Sequence, residues 1–189
     1  MPNTNKLQPP GKPNVFGLPA GFLGAIAGWI MGRTGVEHNR WAVSLLNVRA
    51  DDAILEIGFG PGVSIQLLAR LAVRGRVTGV DPSPVMVRQA TRRNAAAVRA
   101  GRVALQAGSV DALPFADAQF DKVLSVNNIM LWPGPHESLR EVYRVLKPGG
   151  LLVIALNPRW AKNAGDVEQM GRELFDHVAQ EINESFITI

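Results

Sequence analysis

The chain has 189 residues, 47% of them apolar and 19% charged, with no cysteine and a net charge of +4. That length suits one domain with an appendage, and the apolar share is too high for a disordered chain. Disulfides and thiolate sites are excluded, the three histidines (His38, His136 and His177) lack metal-ligand spacing, and a reducing, cytoplasmic setting fits.

Residues 13–32 carry no charge but contain Pro13, Pro19 and glycines at 17, 21, 24, 28 and 32. Phe22, Leu23, Ile26, Trp29 and Ile30 recur at helical spacing. Three readings stay open here: a helix packed on the domain, an interfacial or lid-like helix touching a membrane from outside, or a span. A signal peptide is a poor match.

From residue 36 the pattern alternates. A helix is predicted over 36–48, a buried strand over 53–59, a helix over 62–72 and a strand over 76–81. A helix over 84–100 starts with proline, harmless in a first turn. Strands follow over 102–107 and 120–127. A helix over 136–146 stops at Lys147-Pro148-Gly149-Gly150, and a strand covers 151–156. A last helix spans 166–182, and 185–189 can start one more strand. The strands are too apolar for a half-exposed sheet, so the prediction is α/β: a doubly wound, mostly parallel sheet with helices on both faces. Residues 82–110 contain no acid but carry Arg88, Arg92, Arg93, Arg99 and Arg102. This reads as a solvated helix face or a docking surface for a polyanion.

Open sheets of this kind bind ligands beyond the carboxyl ends of their strands. The loop after the first strand reads Glu56-Ile57-Gly58-Phe59-Gly60-Pro61-Gly62. Glycines let a backbone turn sharply and approach a ligand closely. The spacing is G-x-G-x-G rather than the G-x-G-x-x-G of a dinucleotide cradle. Glu56 is unfavourable beside a phosphate and favourable beside a cation. Asp81, ending the second strand, is placed to accept bonds from ribose hydroxyls, or else Asp81 or Ser83 caps the next helix. A nucleoside with a cationic, non-phosphate tail fits both features.

Four stretches, ILEIGFGPG (54–62), VTGVDPS (77–83), GSVDALPFADAQFDKVLSVN (108–127) and LREVYRVLKPGGLLVIAL (139–156), resemble class I S-adenosylmethionine-dependent methyltransferases. The similarity is to the small-molecule and lipid group that includes ubiquinone/menaquinone and phospholipid methyltransferases. It implies a Rossmann-like fold, with S-adenosylmethionine as cofactor and S-adenosylhomocysteine as product. It implies that Gly58, Phe59, Gly60 and Gly62 form the cofactor loop and that Glu56 orients it or faces the methionine ammonium. Asp81 would hold the ribose, with Pro82 and Met86 along the adenine. The family's usual acidic adenine contact falls on Ser109, with Val110 as backbone contact and Asp111 as the nearest acid. Asn127 sits where the family touches the methionine part.

The resemblance divides the chain into residues 1–50, a tail with lid-like helices, and residues 51–189, the cofactor-binding domain. Partners implied are a small-molecule or lipid acceptor and no nucleic acid, since the loop Asn127-Asn128-Ile129-Met130 lacks the prolines of DNA amino-methyltransferases. No catalytic base stands out; His38 is placed to fold over the site, and Trp132 and Met130 to line an acceptor pocket or pack in the core. The family's closing strand hairpin is incomplete, for 33 residues follow Leu156. An edge left open in this way invites a homodimer. The alternative function is a non-catalytic S-adenosylmethionine-binding regulator. The Tyr143-x-x-x-Lys147 spacing of short-chain dehydrogenases is read as chance.

Overall fold

The computed structural model describes residues 35–156, with the backbone alone at positions 135 and 136. The elements run α1 (Val36–Leu45), β1 (Ala53–Ile57), α2 (Val63–Leu71), β2 (Arg76–Asp81), α3 (Pro84–Arg93), α4 (Ala95–Arg99), β3 (Val103–Ala107), β4 (Phe120–Val126), a 3-10 turn (Ile129–Leu131), α5 (Pro135–Val145) and β5 (Leu146–Ala155). The five strands form one sheet in the order β3-β2-β1-β4-β5, every neighbouring pair parallel.

Alternation along each strand builds two cores. Ile54, Val77, Val103, Leu124 and Val153 pack with Ala42, Val43 and Leu46 of α1, Ile65 and Leu68 of α2, and Met86 and Ala90 of α3. Leu55, Ile57, Val80, Val123, Leu152 and Ile154 turn the other way, onto Leu139, Val142 and Val145 of α5. A sheet covered on both faces favours apolar residues on each, which is why successive residues such as Ile54-Leu55 and Val123-Leu124 are both apolar and bury into opposite cores. Chain order reverses between β1 and β4, so the carboxyl ends of those two strands open the crevice of the fold.

The predicted helix over 84–100 is two helices. Asn94 sits between them at φ −105° and ψ 19°, and its amide donates to Ala90 O at 2.9 Å and Gly62 O at 3.1 Å. Side-chain bonds to the backbone compete with helix continuation. The last described strand also begins earlier than predicted. Leu146 pairs with Phe120, and the ladder resumes at Leu151 opposite Lys122. Lys147-Pro148-Gly149-Gly150 forms the bulge between, with Gly149 at φ +73°.

The amino ends of the sheet are pinned by Asp121. Its Oδ2 accepts from Ala53 N–H and its Oδ1 from Lys147 Nζ, both at 2.8 Å. Desolvation alone would raise this carboxyl, but the bonds from Lys147 and Ala53 hold it below its ordinary value. Lys147 thus serves the end of the sheet opposite the crevice, and Tyr143 is exposed, in keeping with the dehydrogenase spacing as chance. Among the described residues no helix is long and apolar enough to cross a membrane. The expected segments at 13–32, 166–182 and 185–189, with His177, the strand hairpin and the edge for a dimer, lie outside the described residues.

Phe120 is 1% exposed and meets Phe115 edge-on, with ring centroids 5.1 Å apart. Phe120→Ala is expected to cost about 3–5 kcal/mol in urea-induced unfolding, the usual range for a buried aromatic truncated to a cavity.

Candidate functional site

The β1–α2 loop turns on glycines in the left-handed region. At Gly62 (φ +78°) a Cβ would lie 2.7 Å from Ala90 Cβ, so α3 packs directly on the loop backbone. At Gly60 (φ +52°) a Cβ would meet nothing within 4 Å. The loop is therefore closed against the protein at Gly62 and open at Gly60, the side available to a ligand.

Asp81, at the end of β2, faces this open side. Its Oδ2 accepts from Gly60 N–H and its Oδ1 from Ser83 N–H, both at 2.8 Å. Each oxygen keeps a second lone pair for a ligand hydroxyl. Burial raises the Asp81 pKa, opposed by the two N–H donors. Ser83, not Asp81, is the helix cap, its Oγ accepting from Met86 N–H at 3.4 Å.

Glu56 lies on β1, 2% exposed. Desolvation pushes its carboxyl well above the ordinary value; the Ser64 hydroxyl opposes this, and the Asp81 charge adds to it. Its Oε2 is buried without a hydrogen-bond partner. Ser64 Oγ also lies within hydrogen-bond reach of Asn39 Oδ1, its one proton shared between these two acceptors, which sets α1 against the start of α2. A buried acid without a counter-charge is costly, and a cationic group beside it would draw its pKa back down.

The third and fourth strand ends complete the crevice. Gly108 N–H donates to Asp81 O at 3.2 Å, which brings Ser109 (half-buried), Val110 (buried) and Asp111 (exposed) beside β2. This loop is held by Arg144 of α5, whose guanidinium donates to Leu113 O at 2.9 Å, Phe115 O at 2.7 Å and Asp117 Oδ1 at 2.8 Å. Glu141, held low by Arg144, accepts from Leu113 N–H at 2.8 Å. After β4, Asn127 adopts φ +56° and donates its N–H to Ala155 O at 2.8 Å. Asn128 ties β4 to β1. Its Nδ2 donates to Ile57 O at 2.8 Å, and its Oδ1 accepts from Ser125 Oγ at 2.8 Å and Trp132 Nε1 at 2.7 Å.

A family described as methyltransferase domain matches residues 55–154. The chain belongs to this family. An uncharacterised methyltransferase of Bacillus subtilis is 35% identical over 150 residues, covering 79% of this chain and 81% of that protein. A ubiquinone/menaquinone biosynthesis C-methyltransferase of Geotalea daltonii is 35% identical over 123 residues, covering 64% of this chain and 52% of that protein. The chain thus spans about half the length of that quinone enzyme. In fold it is similar to a putative S-adenosyl-L-methionine-dependent methyltransferase of Methanococcus maripaludis, with a TM-score of 0.69, 22% identity and 84% of each chain covered.

The cofactor of this methyltransferase is S-adenosylmethionine. The residues present fit it: an open backbone at Gly60, a buried carboxyl in Asp81 with lone pairs left for a diol, and a buried carboxyl in Glu56 whose unpartnered Oε2 suits a cationic group. The structure brings Glu56, Gly58, Gly60, Asp81, Ser109 and Asn127 to the carboxyl ends of the strands, with Gly62 and Val110 packed into the protein behind them. Pro82 and Asp111 stand exposed at the rim of the crevice. Phe59 and Met86 point their side chains into the core, 4% and 2% exposed, so neither is presented as a crevice wall. Trp132 is 8% exposed and bonded to Asn128, which makes it a core residue, whereas Met130 is 45% exposed. The sequence reading missed Asn39, Ser64, Asn128 and Arg144. Only the doubled asparagine at 127–128 offered a signal, since polar residues ending a strand have few other uses.

Two outcomes test this site. Gly62→Ala is expected to cost stability, through a left-handed alanine (about 1–2 kcal/mol) and crowding against Ala90 (about 1–3 kcal/mol). Gly60→Ala carries only the first cost and loses cofactor affinity instead; urea unfolding and calorimetric titration separate the two. Glu56 is the pH probe. Its folded pKa is raised above the unfolded value near 4.5, so its contribution is fully present below that pH and lost as pH rises through the folded value. The stability gap between Glu56→Gln and wild type, measured without cofactor, should therefore widen in favour of the variant from pH 4 to pH 8. A gap independent of pH would show that the carboxyl ionises freely in the fold.

Proposed function

We propose that this methyltransferase transfers its methyl group to a small-molecule or lipid acceptor, of the kind a quinol presents. The observation that carries the acceptor class is the 3-10 turn after β4. It sets Met130 and Leu131, each 45% exposed, at the carboxyl end of the sheet beside Asn128. An exposed apolar pair at the edge of a polar crevice suits an acceptor with an apolar body. Similarity to a quinone C-methyltransferase supports the same reading. In this reading residues 1–50 contribute the acceptor-side cover, 51–189 the cofactor domain, and the cytoplasm the setting.

S-adenosylmethionine supplies an electrophilic methyl group on a sulfonium. The protein's part is to hold and align. Asp81 and the Gly60 backbone fix the nucleoside end, and Glu56 offers a carboxyl to the ammonium end. The carbonyls and amides gathered by Asn128 keep the β1 and β4 ends at fixed separation. Holding two reactants in line removes much of the entropic barrier of a bimolecular displacement.

Calorimetric titration with S-adenosylmethionine and transfer of labelled methyl to naphthohydroquinone test the proposal. Binding with transfer supports it; binding without transfer to naphthohydroquinone or a fatty acid favours the regulatory alternative. Asp81→Ala should weaken S-adenosylmethionine by about 1–3 kcal/mol, the worth of hydrogen bonds to a charged group. An unchanged affinity in the folded variant would remove Asp81 from the ribose site.

A further inference from the structure

The functional reading leaves one chemical need unmet. A hydroxyl or carbon-acid acceptor must lose a proton as it gains a methyl group, and no base stands among the cofactor-binding residues. Among the described residues, two buried side-chain atoms lack a hydrogen-bond partner: Glu56 Oε2 and His38 Nε2. Buried polar atoms are nearly always satisfied, so an exception calls for a reason. Glu56 has one in the cofactor's cationic end. His38 has none so far.

His38 stands in the first turn of α1. That helix packs on α2, β4 and β5, and its buried residues join the same core as Ile65 and Leu124. Its neighbour Asn39 is tied to Ser64 at the start of α2. His38 itself is hydrogen-bonded to the side chain of Asn127, just past β4. These two ties hold the first turn of α1 against the start of α2 and the end of β4, on the side of the sheet where Glu56 lies. With Nε2 unpartnered, the bond to Asn127 falls on Nδ1. With Asn127 Oδ1 turned to Nδ1–H, Nε2 is the nitrogen that carries the lone pair. An imidazole held in one tautomer by an amide or carboxylate, with its other nitrogen free, is the arrangement of a general base.

We propose that His38 Nε2 takes the acceptor's proton during methyl transfer, with Asn127 holding the ring in the required tautomer. The proposal rests on the transferase reading above. The acceptor's X–H bond breaks and its proton passes to Nε2. The electron pair left on X forms the bond to the methyl carbon, and the pair of the methyl–sulfur bond returns to sulfur. The imidazolium then releases its proton to water.

The surroundings favour a neutral ring ready to accept. Desolvation lowers the His38 pKa below 6.5, against the bond to Asn127. The titratable groups at this end, Glu56 on β1 and Asp81 on β2, are both shifted toward the protonated form. From α2 comes only the Ser64 hydroxyl. The charged groups of β4 and β5, Asp121, Lys122 and Lys147, lie at the opposite end of the sheet, and Glu37 and Arg40 of α1 are exposed.

The test uses the full chain with three readouts. By 15N NMR, with His38→Gln to assign the ring, Nε2 should be unprotonated at pH 7.5 and shift when sinefungin, an amine analogue of the cofactor, is bound. With naphthohydroquinone and labelled S-adenosylmethionine, His38→Gln should lower kcat on the order of 100-fold, while calorimetry finds cofactor affinity within about threefold of wild type. Imidazole added to His38→Ala should restore part of the rate. A protonated Nε2, a kcat kept within about threefold, or cofactor affinity lost with the rate overturns the role of His38. Wild type that binds cofactor but leaves naphthohydroquinone unmethylated removes the quinol reading instead, and the NMR tautomer then decides for or against His38.

Discussion

The Asn128 amide is the constraint on which the crevice depends. β1 and β4 are hydrogen-bonded neighbours, but their carboxyl ends run into loops with no ladder of their own. Asn128 continues the connection with its side chain, donating to Ile57 O on one side and accepting from Ser125 and Trp132 on the other. It is 9% exposed, so these bonds form with little competition from water. A Cβ at Gly58 would lie 2.5 Å from its Nδ2, so the loop and the amide occupy contiguous space. The glycine loop after β1 is thereby built against a side chain that follows another strand.

Around this point the fold accepts unfavourable electrostatics. Glu56 and Asp81 are buried carboxyls at the ends of adjacent strands, each shifted toward the protonated form. The residues that fix the other end have the opposite character: Asp121 and Lys147 form a partly exposed ion pair. Stabilising charge pairs thus gather at the amino ends of the strands and destabilising burial at the carboxyl ends, as expected when strain is tolerated where a ligand relieves it.

The sequence carried the sheet well because its inner strands are covered on both faces and have a single dominant requirement, whereas β3, with Ala104, Gln106 and Ala107 exposed, shows through its place in the alternation. Ala53–Ile57 and Leu151–Ala155 appear as mostly apolar runs that no surface helix would show. The break at Asn94 and the early start of β5 were not visible, since one depends on a carbonyl at Gly62 and the other on pairing with Phe120. The site divides in the same way. The glycines and Asp81 are local signals with fixed spacing, while Ser64, Asn39 and Asn128 act through single bonds to distant residues and leave no period. Phe59 and Met86 lie inside a cofactor motif, yet their side chains complete the core.

Arg144 has a consequence for how the chain folds. The segment between β3 and β4 contains no helix or strand, and its carbonyls at Leu113 and Phe115 bond to a guanidinium on α5. Its order is borrowed from an element that follows it by some thirty residues (28 from Leu113 to Glu141). The segment from Leu113 to Asp117 therefore takes its order only once α5 has docked on the sheet. Local opening of that half of the sheet releases the segment with it, which makes the β4–α5–β5 unit and the β3–β4 connection a single cooperative element of the fold.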